Sequence, residues 1–139
     1  MQKQKGFTLI ELVVVVMILG ILAAVAAPKL LNTSSTAADN GLKQTLGVVR
    51  DAIERFAAEH SGSLPADLAT DLVTNGYIRG AFPKCPVGAG DDSIATSTVS
   101  GTTTAGGPES WRYNTADGTF ICNSTAPSKS DPGITYDKF

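Results

Sequence analysis

The feature that most constrains this chain is an apolar run near its N-terminus, from Phe7 to Ala27. Only Thr8, Glu11 and Gly20 interrupt its 21 positions. As a helix with a rise of about 1.5 Å per residue, the run would be roughly 31 Å long, which is close to the hydrocarbon thickness of a bilayer. The sequence therefore predicts a segment that enters a membrane, and the composition of the rest of the chain leaves a small, rather polar domain after it.

Two lysines, Lys3 and Lys5, precede the apolar run. Positive charge beside a spanning helix stays on the cytoplasmic side, so we expect an N-in, C-out orientation. A basic start, an apolar core and the small residues at 24–26 also describe a secretory signal peptide that is cut after Ala26. A plain anchor that is never cut is a further alternative.

Glu11 is the residue that a disposable signal peptide would not need. An acidic side chain costs about 2 to 3 kcal/mol at the bilayer centre and less near the interface, and such residues are functional-site candidates. If the chain is cut between Gly6 and Phe7, the new ammonium group of Phe7 lies four residues before Glu11. Every neighbouring copy offers the same ammonium group, so packed helices could pair carboxylate with amine.

The stretch Lys5-Gly6-Phe7-Thr8-Leu9-Ile10-Glu11-Leu12, followed by apolar residues, resembles the cleavage and methylation signature of type IV pilins and pseudopilins. The resemblance implies that a prepilin peptidase cuts after Gly6 and N-methylates Phe7, and that Glu11 guides docking into a growing filament. It further implies an inner-membrane precursor, an inner-membrane assembly platform as partner, and other copies of the chain as partners in a pilus or periplasmic filament.

Pro28 and Gly20 are predicted weak points of this helix. Proline lacks the N–H group that would bond to the carbonyl of Ala24, and its ring crowds that turn. Glycine is about 1 kcal/mol less favourable than alanine in a helix. The resemblance implies that the stretch Ile21–Ala27 can lose helicity within a filament, and a merely curved helix is the alternative.

Helical periodicity returns after the apolar run. Its apolar stripe has alternating spacings of four and three and consists of Leu42, Leu46, Val49, Ile53, Phe56 and, at its end, His60. We expect one long helix from about Thr8 to His60, whose second half packs on a globular head. The predicted organisation is a leader at 1–6, a transmembrane or filament-core helix at 7–28 and the head at 29–139.

The head is predicted to be α+β. Ser63-Leu64-Pro65 favours the start of a short helix of about ten residues that stops at Asn75-Gly76. The segments 111–114 and 119–122 alternate in aromatic and β-branched character, which indicates a β-hairpin. Two strands alone are unstable, so the hairpin must pack on the long helix, with or without a third strand. Residues 88–108, rich in Gly, Ser, Thr and Ala, are predicted to form an exposed loop that is mobile or loosely strand-like.

Cys85 and Cys122 lie 37 positions apart, with no CxxC motif and no neighbouring histidine, which argues against zinc. Export would place them in an oxidising compartment, so we expect a disulfide, with two free thiols as the alternative.

Several function classes are not expected. The net charge of −2 and the lack of a basic cluster beyond the leader argue against nucleic-acid binding. The single histidine, His60, has no visible partner set, and we find no nucleophile motif, metal-ligand cluster or phosphate-binding loop. We therefore expect no enzyme activity, metal or cofactor.

A major pseudopilin of a type II secretion system would be expected to carry acidic, glycine-rich calcium-binding segments near its C-terminus. This tail offers only Asp131, Gly133 and Asp137, without convincing ligand spacing. We therefore favour a pilus-type filament subunit over a type II pseudopilin. An exported soluble protein with an ordinary signal peptide is the third class.

Overall fold

The computed structural model describes residues 6–99 and 103–139, without the side chains of residues 30–32. The chain divides into two compact units, Met1–Ser35 and Thr36–Phe139. The elements in chain order are the helices α1 (Leu9–Glu59) and α2 (Leu68–Thr74), the strands β1 (Ile94–Ser97), β2 (Trp111–Asn114) and β3 (Phe120–Cys122), and a 3-10 turn (Tyr136–Lys138). The predicted α+β class is confirmed.

Helix α1 has 51 residues and agrees with the predicted span to within one residue at each end. The backbone remains helical through Gly20 and Pro28. The helix ends because Ser61 adopts a left-handed conformation, with φ of 57°, and the Gly62 N–H donates to the carbonyl of Ala57 at 2.7 Å. This 6→1 hydrogen bond is the usual closure of a helix C-terminus.

The predicted apolar stripe forms the helix side of the head's core. Its first five members are buried, with between 0% and 7% of each residue exposed: Leu42, Leu46, Val49, Ile53 and Phe56. His60 is exposed and stacks on Phe56, with ring centroids 4.0 Å apart. Its Nδ1 lies 2.9 Å from the carbonyl oxygen of Phe56, which confirms its place at the helix C-terminus.

A three-stranded sheet in the order β1-β2-β3 covers this stripe. Strands β2 and β3 are antiparallel, with Tyr113 opposite Phe120, which confirms the hairpin. Trp111 and Tyr113 are fully buried, and each polar tip has a backbone partner: Trp111 Nε1 donates to the carbonyl of Pro83 at 2.9 Å and the Tyr113 hydroxyl to that of Pro65 at 3.0 Å. Buried aromatic residues with satisfied polar groups hold the sheet in place.

Within residues 88–108, expected to be mobile or loosely strand-like, Ile94–Ser97 form a regular strand, β1, which pairs in parallel with β2. Parallel strands need a long connection, so the partner of such a strand is distant in sequence. Nothing in the local composition of Ser, Thr and Ala indicates a pairing of that kind. The third strand of the sheet therefore comes from the hydroxyl-rich stretch itself.

The short helix was predicted too long. Helix α2 has seven residues and begins at Leu68, because Asp67 is extended and its side chain accepts the Thr70 N–H at 3.3 Å as an N-cap. The side chain of Asp71 accepts the N–H groups of Ala66 and Asp67 at 2.9 and 3.0 Å. Two acidic side chains thus satisfy the free backbone donors at the helix start.

Candidate functional site

The predicted cleavage point, the peptide between Gly6 and Phe7, lies before the first helical residue, Leu9. Phe7 is 78% exposed, and among the described residues, apart from the chain neighbours of Gly6, no heavy atom lies within 4 Å of the position that a Cβ on Gly6 would take. A peptide bond outside a helix keeps its backbone groups available to a protease. Lys3 and Lys5 of the leader lie outside the described residues, and cleavage and N-methylation at this peptide stay predictions.

Glu11 is held by a reciprocal set of hydrogen bonds at the start of α1. The N–H and the hydroxyl of Thr8 donate to Glu11 Oε2 at 2.9 and 2.8 Å, and the Glu11 N–H donates back to the Thr8 hydroxyl at 3.3 Å. This arrangement is a capping box, in which Thr8 is the N-cap residue and Glu11 the third residue of the helix.

The capping box explains how an acid is tolerated in an apolar segment. Glu11 accepts two hydrogen bonds from its own chain, and an acid in the first turn of a helix is favoured by the helix dipole. Unpaired polar groups are costly in hydrocarbon, so local satisfaction of the carboxylate lowers that cost. The Thr-x-x-Glu spacing was visible in the sequence, and Thr8 was not assigned this role.

The large side chains of the apolar part of α1 are exposed and are not part of the core of the head. The large apolar side chains between Leu9 and Val25 are 45% to 81% exposed. This helix is long and apolar enough to cross a membrane. A continuous apolar surface of this size marks contact with a membrane or with protein. Gly20 and Pro28 both lie on this helix, and a kink or melting there stays a prediction.

Cys85 and Cys122 are brought together in the head. Their sulfur atoms are 3.6 Å apart, both side chains are buried, and both are free thiols in the structure. The contact with Cys85, reinforced by burial, raises the pKa of the Cys122 thiol far above its ordinary value. The distance supports the predicted pairing, and the disulfide itself stays a prediction.

We expect the chain from an oxidising compartment to carry a Cys85–Cys122 disulfide that stabilises the head by about 3 to 4 kcal/mol through the loop it closes. The measurement is the unfolding free energy of the wild-type chain with and without reductant, beside the Cys85→Ser/Cys122→Ser double variant as control. Reductant should destabilise the wild type and leave the double variant unchanged. Alkylation of both thiols in chain that has never been reduced would contradict the disulfide.

Asp39 is a buried carboxylate that the sequence analysis missed. Its side chain is 1% exposed and accepts hydrogen bonds from the Ser128 hydroxyl at 2.6 Å, the Ser130 N–H at 2.9 Å and the Tyr136 hydroxyl at 3.0 Å. The Ser130 hydroxyl is a further donor. Burial by itself would raise the pKa of Asp39, but these hydrogen bonds outweigh burial and lower it to about 2. Asp39 thereby anchors the C-terminal segment to α1.

Arg50 is a second residue of α1 that binds the C-terminal segment. Its guanidinium donates to the carbonyl of Phe120 at 2.9 and 3.1 Å and to the main-chain oxygen of Phe139 at 2.8 Å. Lys43 lies over the Phe139 ring, 4.4 Å from the centroid.

Asp39 continues the buried stripe three positions before Leu42, and this spacing was the signal that could have identified it. Arg50 gave no such signal, because it lies beside the stripe.

The N-terminal residues match a known family. A family profile described as a prokaryotic N-terminal methylation motif matches residues 1–27, which include Gly6, Phe7 and Glu11. The chain is 37% identical to the fimbrial protein EcpB of Eikenella corrodens, over 71% of this chain and 62% of EcpB's length. It is 29% identical to the type IV major fimbrial protein FimA of Dichelobacter nodosus, over 97% of each chain. No solved structure matches the chain.

Relatives from other filament systems match as well. The competence protein ComGC of Halalkalibacterium halodurans is 33% identical, over 61% of this chain and 79% of ComGC. The type II secretion system core protein G of Klebsiella pneumoniae is 34% identical, over 44% of each chain. With its prepilin-type N-terminus, its long apolar helix and its small α+β head, the chain belongs to the type IV pilin and pseudopilin family.

Proposed function

We propose that this chain is a structural subunit that polymerises through its N-terminal apolar helix into a type IV pilus or pilus-like filament. The observation that carries the proposal is the exposed apolar surface of α1 with one acid, Glu11, at its start. Such a surface needs a membrane before assembly and other copies of the helix after it. Self-association supplies both the apolar cover and a cationic partner for Glu11.

The proposed sequence of events begins with the precursor in the inner membrane, N-terminus in the cytoplasm. A prepilin peptidase hydrolyses the peptide bond between Gly6 and Phe7 and methylates the new amino group of Phe7. That amine is cationic and lies beside the start of the helix. In the filament the ammonium group of one subunit pairs with the Glu11 carboxylate of a neighbour. Both hydrogen bonds from Thr8 end on Glu11 Oε2, so Oε1 can accept from the ammonium group while the capping box stays formed.

The mature N-terminus tests this proposal directly. Mass spectrometry of the chain from producing cells is expected to show a chain that begins with N-methylated Phe7. A chain that begins at Ala27 would show an ordinary signal peptide, and an intact Met1 would show an uncut anchor. Either of these two results would overturn the proposed processing and, with it, the amine that Glu11 is proposed to bind.

A type II secretion pseudopilin is the second candidate, supported by the match to core protein G. The pilus is favoured because the match to FimA spans 97% of each chain and so includes the head, whereas the match to core protein G spans 44%. Electron microscopy of filaments sheared from wild-type cells and labelled against this chain distinguishes the two. Labelled surface filaments at the natural expression level support the pilus, and label confined to the periplasm supports the pseudopilus.

A further inference from the structure

Strand β1 is an edge strand of the head's sheet. Within the part of the chain that the structure describes, its only sheet neighbour is β2, with Ile94 beside Trp111 and Ser97 beside Asn114. At the opposite edge of the sheet, β3 contacts the C-terminal 3-10 turn. The free edge is therefore the outer side of Ile94–Ser97.

The outward backbone groups of β1 belong to Ile94 and Thr96. In a parallel ladder, alternate residues of a strand direct both N–H and C=O to the same neighbour. The Trp111 N–H donates to the Ser93 carbonyl and the Thr115 N–H to the Ser97 carbonyl, each at 2.9 Å. Ser93, Ala95 and Ser97 thus face β2, and the N–H and C=O groups of Ile94 and Thr96 point to the free edge.

A cavity of about 580 Å³ runs along this edge. Ile94 and Thr96 of β1 line it together with residues 66–69 at the start of α2. Two carboxylates, Asp67 and Asp92, line the cavity, and no basic side chain is among its lining residues in the described part of the chain. In this cavity, here called the β1 groove, the outward backbone groups of Ile94 and Thr96 have no hydrogen-bond partner among the described residues and lie near two carboxylates.

Edge strands are usually protected by lysine, proline or a bulge, and β1 has none of these in its sequence Ile-Ala-Thr-Ser. Two copies that paired through this edge would bring Asp67 and Asp92 of one close to the same residues of the other. Like charges at short range oppose such a dimer. The acidic walls therefore disfavour a second copy and favour a cationic occupant.

We propose that the β1 groove binds an extended, lysine- or arginine-bearing peptide segment of another protein, which adds to the sheet as a fourth strand. Main-chain hydrogen bonds to Ile94 and Thr96 would supply affinity, as in other strand-addition complexes. Asp67 and Asp92 would select basic side chains. This surface is separate from the helix that carries filament assembly, so the inference stands or falls independently of the proposed function.

The test uses the full chain in detergent micelles and short capped peptides of alternating lysine and valine, with glutamate in place of lysine as the matched control. The lysine peptide is expected to bind and to protect the amide hydrogens of Ile94 and Thr96 from exchange. The Asp67→Asn/Asp92→Asn variant, which keeps a side-chain oxygen to cap α2, should bind about tenfold more weakly. Equal binding of the glutamate peptide, or unchanged amides, would overturn the proposal.

Thr96→Pro isolates the backbone part of the interaction. It removes an outward N–H group that β2 does not use, so the sheet should persist while peptide binding is lost. Thr96→Ala, which keeps the N–H group, should bind like the wild type. Peptide binding by Thr96→Pro at wild-type affinity would contradict strand addition. If the same amides are protected without peptide, and this protection rises with chain concentration, the occupant of the β1 groove is a second copy of the chain. That result would also overturn the proposal.

Discussion

Replacing Glu11 with alanine is expected to leave the precursor in the membrane and its processing intact while reducing filament yield to near zero. The predicted cleavage point lies outside the helix, so we expect its accessibility not to depend on the Glu11 side chain. Assembly is expected to fail, because the variant has no carboxylate for the proposed pairing with the Phe7 ammonium group of a neighbour in an apolar environment, where such a pair is strong. The measurement is the ratio of mature subunit in sheared filaments to mature subunit in the membrane.

Two variants separate the charge of Glu11 from its capping role. Glu11→Gln can still accept the Thr8 hydrogen bonds but carries no charge, so it should assemble as poorly as Glu11→Ala. Thr8→Val removes the hydroxyl that donates to Glu11 at 2.8 Å and keeps the charge, so it should weaken the helix start by about 1 kcal/mol and retain most assembly. Normal filaments from Glu11→Gln would show that the capping box, and not the ion pair, is what assembly requires.

Asp39→Ala is expected to destabilise the head strongly, with a loss of about 3 kcal/mol in unfolding free energy. It leaves the hydroxyl groups of Ser128 and Tyr136 and the Ser130 N–H without their acceptor in a buried site. Trp111, the only tryptophan and fully buried, reports head unfolding by fluorescence. Asp51→Ala, at an exposed position of the same helix, is the control and should change the unfolding free energy by less than about 0.5 kcal/mol. Equal losses of unfolding free energy in the two variants would contradict the role of Asp39 as an anchor for the C-terminal segment.

The Asp39 anchor also predicts a pH dependence. The carboxyl's pKa is about 2 in the folded chain against an ordinary value of 3.8, so the folded state favours the ionised form. Its contribution is complete above the ordinary value and is lost as the pH falls from about 4 towards 2. Asp39→Asn removes this titration, so its stability should fall less steeply than that of the wild type over the same interval. Parallel stability curves for the two chains would show that Asp39 is not held as a carboxylate.

The sequence predicted the long helix and the β-hairpin because both depend on local patterns. The apolar stripe from Leu42 to Phe56 repeats at helical spacing, and the hairpin strands at 111–114 and 120–122 are adjacent in the chain. It did not predict the pairing of β1 with β2, because the pairing of Ile94 with Trp111 spans 17 positions and leaves no local trace. The length of α2 was mispredicted for a different reason. Pro65 suggested an earlier helix start, but Asp67 is the N-cap residue, so the helix begins at Leu68.

What the sequence determined by itself is the N-terminal segment: an apolar run of bilayer length, with Glu11 four residues after Phe7. That conclusion needs no tertiary structure, because hydrophobic length and the cost of a charge in hydrocarbon are properties of a single helix. The tertiary structure decided which distant residues of the head contact one another. Asp39 meets Ser128 and Tyr136 across 89 and 97 positions, and Cys85 meets Cys122 across 37. Contacts at such separations depend on how the whole head packs, which no local pattern in the chain specifies.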